Sequence, residues 1–146
     1  MTPHLLDVNA LIALLWEDHQ FHGTMARWFT RHARSGWSTC AITQSGFMRV
    51  MNQPALAQHG RSFAELAHVL TQCVAQPSHS LLPLDFDFAD VLAHCTGGVV
   101  GHRQITDAYL LTSAVRADAR LLTFDQGLPQ LLATPAERQR HVLVLS

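Results

Sequence analysis

The sequence is poor in charge and contains no long hydrophobic run. Charged residues make up only 14% of its 146 residues, and the net charge is −1 with histidine counted as neutral. No stretch approaches the roughly 18 uninterrupted apolar residues of a membrane span, and no positively charged segment with a cleavable apolar stretch stands at the start. These absences argue against a strongly basic protein and a membrane protein. We therefore expect a cytoplasmic protein, in which local patches can still bind phosphates.

Cysteine is scarce, and its spacing offers no metal-binding or disulfide pattern. Cys40, Cys73 and Cys95 lie far apart and form no CxxC pair, which is typical of reduced thiols in the core of a cytosolic protein. No repeat, linker or low-complexity tract divides the chain, and 48% of its residues are hydrophobic. We therefore expect a single domain over residues 1–146 that keeps some apolar surface for a partner.

Short apolar runs alternate with longer segments of helical period, a pattern that predicts an α/β fold. Helices separate consecutive strands, so the sheet should be mainly parallel, five-stranded and covered on both faces, which makes three layers. The predicted strands lie within residues 4–8, 36–42, 79–84, 119–125 and 141–146. The predicted helices lie within residues 9–16, 20–34, 43–54, 62–76, 87–95 and 104–117. Asn9 is a candidate cap for the first helix, and Ser62 with Glu65 forms a candidate capping box for the fourth.

Three aspartates fall where ligands bind in an open parallel sheet, outside the carboxyl ends of the strands. Asp7 ends the first predicted strand, Asp125 ends the fourth, and Asp107 opens the helix that leads into the fourth. Converging carboxylates raise each other's pKa, and a hard divalent cation such as Mg²⁺ or Mn²⁺ relieves their repulsion. Each aspartate alone also has an ordinary interpretation, because Asp caps helices, as at Asp107, and begins turns, as at Asp125.

Four segments resemble, in the expected order, a PIN domain of the VapC type, the ribonuclease toxin of bacterial type II toxin–antitoxin pairs. They are LLDVNALIAL, CAITQSGFMRV, GHRQITDAYLLTSAV and RLLTFDQGL, and the resemblance extends from residue 5 to about residue 145. It implies an Mg²⁺-dependent endoribonuclease, with Mn²⁺ as a substitute, whose metal ligands are Asp7, Asp107 and Asp125. It also implies that Asn9 and Thr123 lie beside the site and orient a carboxylate or a water.

The chain departs from this family pattern at Gln44, where the usual residue is a Glu at the start of the third helix. Gln keeps the length and a carbonyl oxygen but loses the negative charge and the capacity to accept a proton. If the position acts as a general base or holds a second metal, the change lowers the rate by roughly 10²–10⁴-fold. If it only binds a metal-bound water, Gln44 sustains weak activity. A natural Gln and a disarming Glu→Gln substitution both fit the sequence.

Other polar residues admit both a functional and an ordinary interpretation. Arg103, four residues before Asp107, either contacts the scissile phosphate or is a solvated loop arginine. His19 and His22 have a spacing that zinc ligands use, but no Cys or third His lies at finger spacing, which argues against zinc. A further acidic cluster, which we interpret mainly as the start of a helix, consists of Asp85, Asp87 and Asp90. Asp85 has a second interpretation, in which it reaches the site from the third strand.

The resemblance also implies partners. RNA is the substrate, a small VapB-like antitoxin lays an apolar segment in a hydrophobic groove, and the toxin forms a twofold homodimer. The aromatic residues at helical spacing either line such a groove or belong to the core: Trp16, Phe21, Trp28, Phe29 and Phe47. Two other functions stay open, a catalytically inactive PIN module that binds RNA or its antitoxin, and a nuclease acting on DNA flaps. The short chain argues against the second of these.

Overall fold

The computed structural model describes residues 2–99 and 101–146, and its centre is a five-stranded sheet. All four strand pairings are parallel, and the strand order is β3-β2-β1-β4-β5. The strands are β1 (His4–Leu6), β2 (Trp37–Thr39), β3 (His79–Leu81), β4 (Arg120–Thr123) and β5 (Val142–Val144). The prediction of a mainly parallel five-stranded α/β sheet is confirmed, and each strand lies inside its predicted segment.

Within the described residues, seven α-helices connect and flank the strands. They are α1 (Val8–Leu15), α2 (His22–His32), α3 (Ala41–Met51), α4 (Phe63–Val74), α5 (Phe88–His94), α6 (Ile105–Arg116) and α7 (Pro135–His141). The first six match predicted helices, whereas α7 was not predicted. Its start nevertheless carries a clear signal, because Thr134 and Glu137 form a reciprocal capping box and Pro135 occupies the first turn.

The caps explain why several helices begin where they do. The carboxylate of Asp7 accepts a 2.7 Å hydrogen bond from the Ala10 N–H, so the prediction of Asn9 as the cap of α1 is wrong. The chain leaves β1 after Leu6, which puts Asp7, and not Asn9, in the extended conformation that a cap requires. At α4 the Ser62 hydroxyl accepts from the backbone of Glu65, as predicted. The acidic cluster does begin a helix, because Asp87 and Asp90 form the capping box of α5.

Successive residues of a strand point to opposite faces of the sheet and pack into two cores, one on each face. Leu5 and Leu121 pack with α5 and α6, whereas Leu6 and Leu122 pack with α1 and α2. A third cluster joins α1 to α3 and α4. Burying one such leucine contributes about 1.5–3 kcal/mol to folding, which makes these layers the main stabilising feature of the domain. The fold therefore has the predicted three layers, and no helix within the described ranges is long and apolar enough to span a membrane.

Candidate active site

The carboxyl ends of the central strands bring the predicted acids to one edge of the sheet. Strands β1 and β4 are neighbours, so Asp7 directly after β1 lies beside the segment that follows Thr123 at the end of β4. Asp125 belongs to that segment. Helix α6, which carries Asp107 in its first turn, packs against both strands. Parallel pairing and one helix thus gather three acids that are distant in sequence.

Asp7 is almost completely buried, with 4% of its surface exposed. Besides the Ala10 N–H, its carboxylate accepts a 2.5 Å hydrogen bond from the hydroxyl of Thr123, which is itself fully buried. Burial raises the pKa of Asp7 to about 6, and the negative charges of Asp107 and Asp125 act in the same direction. The hydrogen bonds from Thr123 and Ala10 lower the pKa and partly offset burial.

Asp107 and Asp125 complete the acidic group. Burial raises the pKa of Asp107 to about 6, and the charge of Asp125 raises it further. Asp125 is exposed, and one of its carboxylate oxygens accepts a 2.8 Å hydrogen bond from the Gly127 N–H. Its own backbone N–H donates to the Thr123 hydroxyl at 3.0 Å, so Thr123 is connected to Asp7 and Asp125 together. The charge of Asp125 therefore acts on both Asp7 and Asp107, although the environments of the three carboxylates differ.

The chemistry of these acids suits a hard divalent cation. Carboxylate oxygens are the ligands that Mg²⁺ and Mn²⁺ prefer. Burial disfavours the ionised forms of Asp7 and Asp107, and a bound cation would favour them. Among the side chains that the structure describes, however, no three His, Cys, Asp or Glu residues are arranged closely enough to hold a metal. The assignment of Asp7, Asp107 and Asp125 as metal ligands remains a prediction that the donor chemistry supports.

Gln44 lies half-buried in the first turn of α3, directly after β2. Its amide Nε2 donates a 2.9 Å hydrogen bond to the hydroxyl of Thr39, the last residue of β2. Helix α3 packs closely on α1, since a Cβ added to Gly46 would come within 2.6 Å of Val8. Val8 follows Asp7 in the chain, so Gln44 belongs to the same edge of the sheet as the acids.

The other predicted site residues are less involved. Asn9 is exposed in the first turn of α1, and Arg103 is exposed in a short 3₁₀ helix (His102–Gln104) that precedes α6. Exposure of Arg103 is compatible with either of its two interpretations. Thr123 is where the resemblance implied a polar neighbour, and it does contact a carboxylate.

Three candidate residues outside this edge, His19, His22 and Asp85, have local partners. His22 bonds the backbone carbonyl of Ala13 through Nδ1 at 2.7 Å, and Nδ1 of His19 accepts from a backbone N–H. These bonds shape the turn between α1 and α2. Asp85 lies 3.7 Å from Arg116, an exposed ion pair. We therefore leave Asp85 out of the site.

Sequence reasoning missed two residues near Gln44. Thr39 is fully buried, and its hydroxyl lies 2.7 Å from Nε2 of His79 on β3. Thr39 could have been noticed, because it ends β2 as Thr123 ends β4. No sequence signal pointed to His79, which reaches Thr39 only through the pairing of β2 with β3.

The aromatic residues proposed for a docking groove belong mainly to the core. Trp28 and Phe47 are buried, whereas Trp16, Phe21 and Phe29 are half-buried. Phe29 also lines a groove of about 410 Å³ together with residues of α1 and α4. Among the described residues, the large apolar side chains that are exposed are different ones: Phe63, Leu81, Leu84, Phe88, Leu92 and Ile105.

Comparisons with known proteins agree with this geometry. The PIN domain family profile matches residues 4–131. Ribonuclease VapC38 of Mycobacterium tuberculosis (strain ATCC 25618 / H37Rv) is 42% identical over 123 residues, which cover 84% of this chain and 85% of that protein. Ribonuclease VapC44 of the same strain is 37% identical over 141 residues, covering 97% and 98%. The chain therefore belongs to the PIN-domain family, and within it to the VapC-type ribonucleases.

A solved structure shares the fold. The crystal structure of VapBC2 from Rickettsia felis, bound to a DNA fragment from the promoter, contains a chain that superposes with a TM-score of 0.62. The match covers 99% of each chain at 10% sequence identity. At this identity the similarity concerns the fold alone.

Proposed function

We propose that this chain is the toxin of a type II toxin–antitoxin pair and cleaves RNA phosphodiester bonds as an Mg²⁺-dependent endoribonuclease. The observation that carries the proposal is the acidic group, in which burial raises the pKa of Asp7 and Asp107 and the charge of Asp125 raises both further. Relatives named ribonuclease VapC support the reaction class. We also propose that residues 1–146 form a single PIN domain.

In this proposal Asp7, Asp107 and Asp125 hold Mg²⁺ or Mn²⁺. Such an ion, when bound, polarises the phosphodiester and lowers the pKa of an attacking water. Thr123 keeps Asp7 in one orientation through its hydrogen bond, because a buried carboxylate with two donors has little freedom to rotate. Arg103 is exposed just before α6, where its guanidinium can approach a phosphate from solution.

Gln44 limits the chemistry that this edge of the sheet can perform. An amide does not accept a proton at neutral pH, so Gln44 does not serve as a general base. We propose that it acts as a neutral hydrogen-bonding group, and that the chain cleaves RNA more slowly than a Glu-containing enzyme. The loss of a general base corresponds to roughly 10²–10⁴-fold in rate. The second candidate function, a PIN module that binds RNA or its antitoxin without cutting, is favoured by the same residue.

One comparison of variants separates the two candidates. RNA cleavage is measured with Mg²⁺, with Mn²⁺ and with EDTA for the chain itself, Gln44→Glu and Asp107→Asn. Asp18→Asn is the matched control, since it removes an exposed acid between α1 and α2. We expect cleavage that needs the metal, is lost in Asp107→Asn, is unchanged in Asp18→Asn and increases in Gln44→Glu.

The outcomes are distinct. If only Gln44→Glu cuts, the chain is a binding module. If Asp107→Asn cuts as well as the unchanged chain, the proposed site is wrong.

We further propose a VapB-like antitoxin and a second copy of the chain as partners. An antitoxin segment of apolar character suits the groove lined by Phe29, Leu14, Leu15 and Val69. A second copy suits the exposed apolar residues of β3, α5 and the start of α6.

A further inference from the structure

The side chain of Gln44 is the first member of a hydrogen-bond chain that runs across two strands. Its Nε2 lies 2.9 Å from the Thr39 hydroxyl, and that hydroxyl lies 2.7 Å from Nε2 of His79. Thr39 is fully buried. Because Trp37 lies opposite His79 in the pairing of β2 with β3, Thr39 and His79 are diagonal neighbours of the two strands.

The imidazole of His79 has contacts besides Thr39. Its ring packs edge-on against Trp37, with 4.7 Å between the ring centroids. Burial lowers the pKa of His79, whereas a backbone hydrogen bond to Val74 raises it. A bond that raises the pKa of an imidazole is one in which a ring N–H donates. Since Nε2 contacts Thr39, Nδ1 is the ring nitrogen available to donate toward the backbone of Val74, and a neutral ring protonated at Nδ1 has an unprotonated Nε2.

The number of available hydrogens determines which group donates in each hydrogen bond between Gln44, Thr39 and His79. Thr39 has one hydroxyl hydrogen, and the unprotonated Nε2 of His79 accepts it. The Thr39 oxygen then accepts from an N–H of Gln44, and the amide carbonyl Oε1 of Gln44 stays free. With the amide reversed, Oε1 would take the hydroxyl hydrogen, and Nε2 of His79 would have to carry a proton, either on a cationic ring or on a neutral ring that gives up its bond to Val74. Burial opposes the cation, and the neutral form loses a hydrogen bond.

We propose that Thr39 and His79 are positioning residues that hold the Gln44 amide with Oε1 as its free acceptor at the edge of the sheet that carries the acids. There Oε1 accepts a hydrogen bond from a water or from a hydroxyl of the RNA, a role that rests on the proposed ribonuclease function. The direction of the hydrogen-bond chain does not depend on that function.

The same geometry explains what a glutamate would require at this position. A carboxylate only accepts, so Thr39 would donate its hydrogen to Glu and not to His79. Nε2 of His79 would then carry a proton, either on a cationic ring or on a neutral ring that has lost its bond to Val74. Gln44, Thr39 and neutral His79 are therefore a matched set, and Gln44→Glu changes the state of His79.

The test measures the imidazole protons directly. In a ¹⁵N-histidine-labelled sample at pH 8 with EDTA, long-range ¹H–¹⁵N correlation spectra distinguish Nδ1–H from Nε2–H rings. We expect His79 as the Nδ1–H form in the unchanged chain and in Thr39→Ser. In Gln44→Glu we expect an Nε2–H on His79, which Thr39→Val together with Gln44→Glu abolishes. His68, exposed on α4, provides the internal reference.

Cleavage assays give the second readout. Thr39→Ser keeps the hydroxyl and retains activity, whereas the isosteric Thr39→Val lowers it by roughly 10-fold or more. An Nε2–H form of His79 in the unchanged chain overturns the proposal, as does a Thr39→Val variant with unaltered cleavage. If the unchanged chain cuts no RNA, the ribonuclease function fails and the NMR result alone decides on the positioning residues.

Discussion

The Thr123 hydroxyl joins the ends of β4 and β1 by donating to Asp7, a residue 116 positions earlier in the chain. The same hydroxyl oxygen accepts the backbone N–H of Asp125. One small side chain thus fixes a buried carboxylate and the start of the segment that bears an exposed one. This arrangement explains how an aspartate can occupy the apolar junction between β1 and α1.

Replacing Thr123 with Val should damage stability and metal binding together. Val keeps the shape but removes the donor to Asp7, and a buried group without its partner costs about 1–3 kcal/mol. Metal affinity should fall by roughly 10–100-fold, because Asp7 is no longer oriented. Urea unfolding and Mg²⁺ titration measure the two effects. Thr123→Ser keeps the hydroxyl and should leave both nearly unchanged; equal losses in Ser and Val would show that the hydroxyl is unimportant.

The metal-free protein should lose stability as the pH rises from about 4 to 6, because of Asp7. Its pKa is about 6 when folded against an ordinary value of 3.8, so in this range the folded state holds a proton that the unfolded chain has released. The difference corresponds to about 3 kcal/mol once Asp7 is ionised. Asp107 contributes in the same direction, since its pKa is also raised to about 6.

Asp7→Asn tests this at one position. Asn is as good a helix cap as Asp, but it carries no charge, so in EDTA the variant should be more stable than the unchanged chain at pH 8 and similar at pH 4. Adding Mg²⁺ should stabilise the unchanged chain, by about 2.7 kcal/mol at one hundred times the Kd, and leave Asp7→Asn unaffected. Urea unfolding with and without Mg²⁺ at the two pH values measures this. A stability that rises between pH 4 and 8 in EDTA would contradict the assignment.

Gly46 should not tolerate alanine, although Ala usually stabilises a helix by up to about 1 kcal/mol relative to Gly. A Cβ at Gly46 would lie 2.6 and 3.2 Å from the two methyl groups of Val8, whose branched side chain has little room to turn. We expect Gly46→Ala to lower the free energy of unfolding by about 1–3 kcal/mol. The control is Gly23→Ala in α2, where the Cβ would meet only the flexible end of Arg27 at 3.3 Å. Thermal unfolding measures both variants. The melting temperature should fall in Gly46→Ala and should stay the same or rise in Gly23→Ala.

Local patterns were sufficient for most of the fold and for part of the site. Strands and helices followed from hydrophobic period, and the acids followed from the rule that parallel strands end at one edge. The cap of α1 was assigned wrongly because β1 ends at Leu6, two residues before the end of its predicted segment, a boundary that sequence patterns determine poorly. Helix α7 was missed, despite its capping box, because it is short and largely exposed.

The contacts of individual side chains were the part that the sequence could not supply. The link between Thr39 and His79 spans 40 positions and depends on the register of β2 against β3. Likewise, the identity of the exposed apolar residues depends on which faces of α5 and β3 lack a neighbour. Hydrophobic period shows that a face is apolar, but it does not show what covers it.

The exposed apolar residues of β3 and α5 lead to a prediction about assembly. Leu81 is 62% exposed on β3, which is an edge strand of the sheet, and Leu92 is 52% exposed on α5. An uncovered edge with apolar side chains favours association, and exposed apolar residues such as Leu92 are candidates for an interface with a second copy. Because each substitution enters a twofold interface twice, Leu92→Arg should convert a dimer into a monomer.

Size-exclusion chromatography with light scattering measures the expected change of mass. The matched control is Phe63→Arg, which places the same charge on a residue that is 65% exposed but lies on α4, in a different part of the fold. We expect Phe63→Arg to remain dimeric, whereas a dimer that survives Leu92→Arg would place the interface elsewhere. A monomer in both variants would instead indicate that charge alone disperses the protein, without a specific surface. Circular dichroism of each variant shows that a change of mass is not a loss of fold.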